Sequence, residues 1–131
     1  MLLTFLRPAA SRASSTSIAL GRAGVGASML VCPRTLPTML GLDSASTARI
    51  SWVVQLLGAR DLALGLGAAQ ALRYDPRAGR TWLAAGVLCD AVDALVLAAA
   101  AGRGRVSRPA AAVVVVAAAA AAAAQARDLR S

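Results

Sequence analysis

The sequence predicts an all-α protein, a four-helix transmembrane bundle, and three observations lead there. First, 58% of the 131 residues are hydrophobic and the mean hydropathy is +0.64, too apolar for an ordinary water-soluble domain. Second, aromatic residues make up only 3% of the chain while Ala fills 34 positions. Few large side chains are therefore present to drive folding in water, a requirement that a bilayer removes. Third, fifteen of the twenty charges fall outside four apolar stretches, at about 15–31, 50–72, 81–101 and 110–126.

Residues 1–14 contain Arg7, Arg12, Ser11 and Ser14, with Ser15 and Ser17 following, and no acid, the first acidic residue being Asp43. Their composition is that of a transit peptide, and the preferred reading is a short flexible lead on the cytoplasmic side. A single transmembrane helical domain then covers 15–126, and 127–131 form a polar tail. The first span, 15–31, is thinned by Gly21, Gly24, Gly26 and Ala27, and Arg22 near its start is expected to snorkel. A helix needs about 20 residues to cross the hydrocarbon at about 1.5 Å per residue, so this span draws on the lead or inserts only in part. Pro33 and Pro37 then interrupt the helix, and the spaced apolar set Leu36, Met39 and Leu40 reads as an interfacial segment.

The second span, 50–72, is interrupted by Ser51, Gln55, Arg60, Asp61 and Gln70, and the third, 81–101, by Asp90 and Asp93. Both are long enough to cross. The Pro/Gly-containing turn 73–80 between them predicts a tight antiparallel hairpin. A second basic turn, 102–108, leads to Pro109, well placed at a helix start. The fourth span, 110–126, is low-complexity Ala and Val. With four spans, Arg7, Arg12, Arg73, Arg77, Arg80, Arg127 and Arg130 share one side, against Arg34, Arg49, Arg103, Arg105 and Arg108 on the other. Seven against five places both termini in the cytoplasm under the positive-inside rule. Trp52, Tyr74 and Trp82 near the span ends fit the aromatic belt.

The charges inside the spans carry the functional content. Centring the hairpin on the 73–80 turn sets Arg60 and Asp93 level near mid-bilayer, and Asp90 and Asp93, three residues apart, share one face of the third span. A lone charge at the centre of a membrane helix costs about 2.5–3.5 kcal/mol on insertion scales, so Arg60, Asp61, Asp90 and Asp93 are expected to form one cluster. One Arg against three Asp leaves two formal negative charges. The preferred role is a polar lock on hairpin register; the alternative is a site for a proton or a cation. Ala59, Ala63, Gly67 and Ala71 recur every four positions, the small-xxx-small pattern of close membrane-helix packing.

Several chemistries are excluded. His, Lys, Glu and Asn are absent, which removes a Ser-His-Asp triad, a His-based zinc site and a Glu general acid. Cys32 and Cys89 lie at different depths, so no disulfide is expected. Gly65-Leu66-Gly67 lacks the strand and Lys of a phosphate loop. The net charge of +8 is explained by interfacial Arg, and nucleic acid is not an expected partner. No catalytic residue, metal site or cofactor is assigned.

Gly58-Ala59-Arg60-Asp61-Leu62-Ala63-Leu64-Gly65, then Arg80-Thr81-Trp82, then Cys89-Asp90-Ala91-Val92-Asp93-Ala94 resemble a family of small bacterial four-helix integral membrane proteins of unknown function. In that family a G-x-R-D-x-x-x-G motif precedes a D-x-x-D motif, and a Pro with a nearby Gly-Leu follows the first span, here Pro33 and Gly41-Leu42. The resemblance covers roughly residues 18–101. It implies the topology and singles out Arg60, Asp61, Asp90 and Asp93 without assigning chemistry. The Arg/Ser-rich lead and the Ala-rich last span depart from the pattern.

The function expected is that of a non-enzymatic protein of a bacterial inner membrane, structural or supporting a partner. Its expected partners are the lipid bilayer and either a second copy of the chain or another membrane protein. The alternative is a small proton- or cation-coupled transporter subunit, and a membrane-bound enzyme, limited to Asp, Arg, Cys and Ser, is the third class.

Overall fold

The structure, a computed structural model, describes residues 2–130, with the side chains of residues 15–75 and 77–127. Five helices follow in chain order: α1 (Leu2–Val31), α2 (Thr35–Met39), α3 (Ser44–Tyr74), α4 (Pro76–Gly102) and α5 (Arg108–Arg130), with no strand among the described residues. The protein is all-α. Each of the four apolar stretches lies within a longer helix, and α1 runs back through the expected lead to Leu2. The side chains of that lead, Arg7 and Arg12 included, lie outside the described residues, as do those of Asp128 and Arg130 in the expected polar tail.

The connections follow from local chemistry. Asp43 caps α3: one carboxylate oxygen accepts the Ala45 and Ser46 amides, both at 2.9 Å, and the other accepts the Ser46 hydroxyl at 2.6 Å. The Ser46 hydroxyl, followed by the amides, holds the fully exposed Asp43 carboxyl below its ordinary value of 3.8. The broad 73–80 turn is corrected to a single residue. Asp75 is extended (φ −143°, ψ 103°), accepts the Arg77 amide at 2.9 Å and precedes Pro76 at the start of α4, so Arg77 and Arg80 are already helical. Prolines do not prevent α2 from forming, because Pro37 sits in its first turn, where no amide is needed. Gly41 (φ 82°) ends that segment in a conformation that favours Gly. It lies against the α4–α5 turn, where Ser107 donates its amide to the Leu40 carbonyl at 2.8 Å.

The helices pack in the cyclic order α1, α3, α4, α5, most extensively between α1 and α3 and most thinly between α5 and α1. The α1–α3 interface is built from glycine. A Cβ on Gly58 would lie 2.7 Å from the Gly26 carbonyl oxygen, and one on Gly65 would lie 2.5 Å from both the Ala19 oxygen and the Ala23 nitrogen. Backbone meets backbone there. The buried apolar side chains are small for the most part: Ala19, Ala23, Ala68, Ala69 and Ala111, with Val54 and Leu83.

By length and apolarity, two of the four expected spans, Arg77–Gly102 and Arg108–Arg127, qualify to cross a bilayer among the described residues. The polar residues Ser51, Gln55, Arg60, Asp61 and Gln70 dilute α3, as Gly and Arg22 dilute α1. The expected packing stripe changes: Ala59 and Ala63 are exposed, Ala71 is half-buried, and Gly67 holds the Trp82 ring. The face of α3 that is buried carries Gly58, Gly65, Ala68 and Ala69, because its main neighbour is α1 and not α4.

Candidate functional site

The small residues of α1 and α3 bring their axes close, and the polar side chains nearby then reach one another. Arg60, on α3, forms a forked pair with Asp93 of α4, Nη1 donating at 3.1 Å and Nη2 at 2.5 Å. It also donates to Oδ1 of its neighbour Asp61, from Nη2 at 3.0 Å and from Nε at 3.2 Å. The same Asp61 oxygen accepts Nη1 of Arg22, on α1, at 3.4 Å. The Nη2 of Arg22 pairs with Asp90 of α4 and donates to the Gly86 carbonyl at 3.4 Å. The result is an unbroken chain, Asp93–Arg60–Asp61–Arg22–Asp90, in which charge alternates and three helices are tied together.

The structure thus places Arg60, Asp61, Asp90 and Asp93 in one network and adds Arg22. The snorkelling expected of Arg22 is corrected: its side chain is 11% exposed and turned inward. The adjacent Ala23 and Gly26 pack on α3, and Gly86 leaves room beside the guanidinium, a Cβ there lying 3.5 Å from Arg22 Cζ. Two Arg against three Asp leave one formal negative charge rather than two. Side-chain exposure is low at Arg22 (11%), Asp61 and Asp90 (both 14%) and rises through Arg60 (31%) to Asp93 (44%).

No family model, no curated protein and no solved structure matches the chain. The chemistry is therefore read from the geometry. The network faces a half-open cavity of about 720 Å³ lined by α1, α3, α4 and α5, with Leu36 of α2 and Leu40 just beyond it also reaching the lining. Among the described residues no group of carboxylates and thiols is placed to hold a metal ion. Cys32 is exposed just beyond α1, and Cys89 is half-buried in the middle of α4; both are free thiols.

Sequence reasoning also passed over Gln125. It is 2% exposed on α5, lines the cavity, and its Nε2 donor has no partner among the described residues. Its Oε1 lies 3.0 Å from the place a Cβ on Gly86 would occupy, next to the Arg22 guanidinium. The available signal was a lone amide after an unbroken run of Ala, at the level of Gly86 in an antiparallel α4–α5 pair. A cluster of this kind can hold charge, fix register, and take up one more positive charge.

Proposed function

We propose that the chain is a multi-pass protein of a bacterial inner membrane in which α1, α3, α4 and α5 all cross the bilayer. The alternating Arg/Asp chain acts as a structural lock on the register of α1, α3 and α4, in a protein that associates with itself or supports another membrane protein. The observation that carries this is the inverted distribution of side chains. Ala and Gly fill the interior with an ion network, while Leu88, Leu95, Val96, Val113 and Val116 are each more than 60% exposed. Of the two most apolar helical segments, only 11% is buried. In water each such side chain left unburied forgoes about 1.5–3 kcal/mol; against lipid tails the exposure costs nothing. The charged groups Arg22, Arg60 and Asp61 of α1 and α3 are tolerable at that depth because each has an opposite charge on a neighbouring helix.

A second reading, a small proton- or cation-coupled transporter subunit, is favoured by one observation: the single negative charge left over on the wall of a sizeable cavity. Membrane residence is tested by extraction. The protein is expected to stay with membranes stripped by alkaline carbonate and to leave only with detergent. Release by carbonate alone sinks the proposal.

A further inference from the structure

We propose that the central cavity binds one molecule of an amphipathic amine: an apolar body carrying a single protonated amino group. The inference rests on the membrane reading above and gives the second reading a ligand class.

Three features converge on this occupant. The cavity of about 720 Å³ is of the size that holds drug-sized organic molecules, and Val25, Leu57, Leu97 and Val114 make most of its wall apolar. One end is polar, where Arg22, Arg60, Asp61, Asp90 and Asp93 all reach the lining. Their formal charges sum to one negative charge, which a monocation cancels and an anion or dication does not. The acceptor atoms are also present. Arg22 and Arg60 take Oδ1 of Asp61 and Oδ2 of Asp90, so Asp61 Oδ2 and Asp90 Oδ1 accept no hydrogen bond among the described residues. An ammonium group carries two or three N–H donors for such oxygens, and a quaternary ammonium carries none.

Gln125 supplies the independent observation. A side-chain amide that is 2% exposed, with its Nε2 unpartnered among the described residues, leaves a hydrogen bond unmade in a low-dielectric interior, on a residue that lines this cavity beside Arg22. Its Nε2 is closed off from the cavity in this conformation, so a ligand oxygen gains that hydrogen bond only where the amide turns toward it.

The test uses the full chain in phosphatidylcholine nanodiscs, with binding followed by native mass spectrometry against empty discs. The probes are dodecylamine, dodecyltrimethylammonium and dodecanol. The expected result is one dodecylamine per chain, with the quaternary ion and the alcohol at least tenfold weaker. Gly21 provides a blocking variant that leaves the ion network untouched. It lines the cavity, and a Cβ added there meets nothing within 4 Å, so Gly21→Phe fills space without a clash at its Cβ. Gly21→Phe is expected to lose at least tenfold in dodecylamine affinity while keeping its helix content, and Asp61→Asn is expected to narrow the gap between amine and alcohol. Equal binding of amine and alcohol overturns the proposal in favour of an acyl-chain pocket, and unchanged binding to Gly21→Phe overturns it by placing the amine elsewhere. A chain that inserts and binds no amine defeats this inference alone, whereas a chain that fails to insert defeats the membrane reading with it.

Discussion

Arg22 is the residue on which the interior turns. It meets Asp61 and Asp90, both 14% exposed, and Arg60 remains to balance only one of the three carboxylates. Removing one partner of a buried pair costs about 3–5 kcal/mol because it leaves charge uncompensated. Arg22→Ala is therefore expected to destabilise the protein in detergent by that order, and Arg22→Ala with Asp90→Asn to recover part of the loss. Arg60→Ala is expected to cost less, since Asp93, 44% exposed on the cavity lining, is less desolvated than Asp61 and Asp90. Thermal melts of the four proteins, wild type included, check the order; a double variant no better than Arg22→Ala argues against the pair. Arg22 was hidden in the sequence because a Gly-rich helix offers no apolar stripe from which to read the direction of its polar face.

At the scale of the element, glycine decides which helices touch. Gly65 leaves no room for a side chain, since its Cβ would lie 2.5 Å from α1 backbone atoms, whereas at Gly24 a Cβ meets nothing within 4 Å. Gly65→Leu is expected to push α1 off α3 and destabilise by more than the roughly 1–3 kcal/mol usual for overpacking. Gly24→Ala is expected to be neutral or to stabilise by up to about 1 kcal/mol through helix propensity. Comparable melting temperatures for the two variants would remove glycine contact as the basis of the α1–α3 interface. The α3 cap gives a pH-dependent counterpart. The Ser46 hydroxyl bond depresses Asp43 in the folded state, so its contribution to stability is complete above the ordinary value of 3.8 and is lost as pH falls through the lower folded value. Amide exchange at Ala45 and Ser46 is expected to quicken over that acid range, and to lose the pH step in Asp43→Asn.

At the scale of the whole molecule, the alternating direction of the long helices puts the α2 segment and the α4–α5 turn at one end of the bundle, joined by the Ser107–Leu40 hydrogen bond. The one-residue break at Asp75 lies at the other end. The two cysteines report on this arrangement without any added label, since Cys32 is exposed at the first end and Cys89 is half-buried in the middle of α4. Tags on both termini are expected to report the cytoplasm, and an impermeant maleimide applied from outside is expected to modify Cys32 and spare Cys89. Tags reporting opposite sides would mean an odd number of crossings, and the more polar helices α1 and α3 would be the first to reconsider.

The four long helices were legible from residue order alone, through apolar runs rich in Ala and Pro109 at a helix start; the caps Asp43 and Asp75 and the one-residue break before Pro76, though equally local in origin, came from the structure. Legible too was the level at which Arg60 meets Asp93, which depends only on rise per residue on either side of one tight turn. What surrounds those helices was not legible in the same way. Ala and Gly occupy every face of α3, so spacing alone could not say whether Gly58 and Gly65 or Ala59 and Ala63 would be covered. That was settled by the closest approach of α1, a contact between residues about 40 apart in sequence, as with Gly65 and Ala23. The same approach turned Arg22 inward and halved the surplus negative charge. The position of α5 then set Gln125 against Gly86 at the polar end of the cavity, so the composition of the site belongs to the packing of four helices and to no single stretch of the chain.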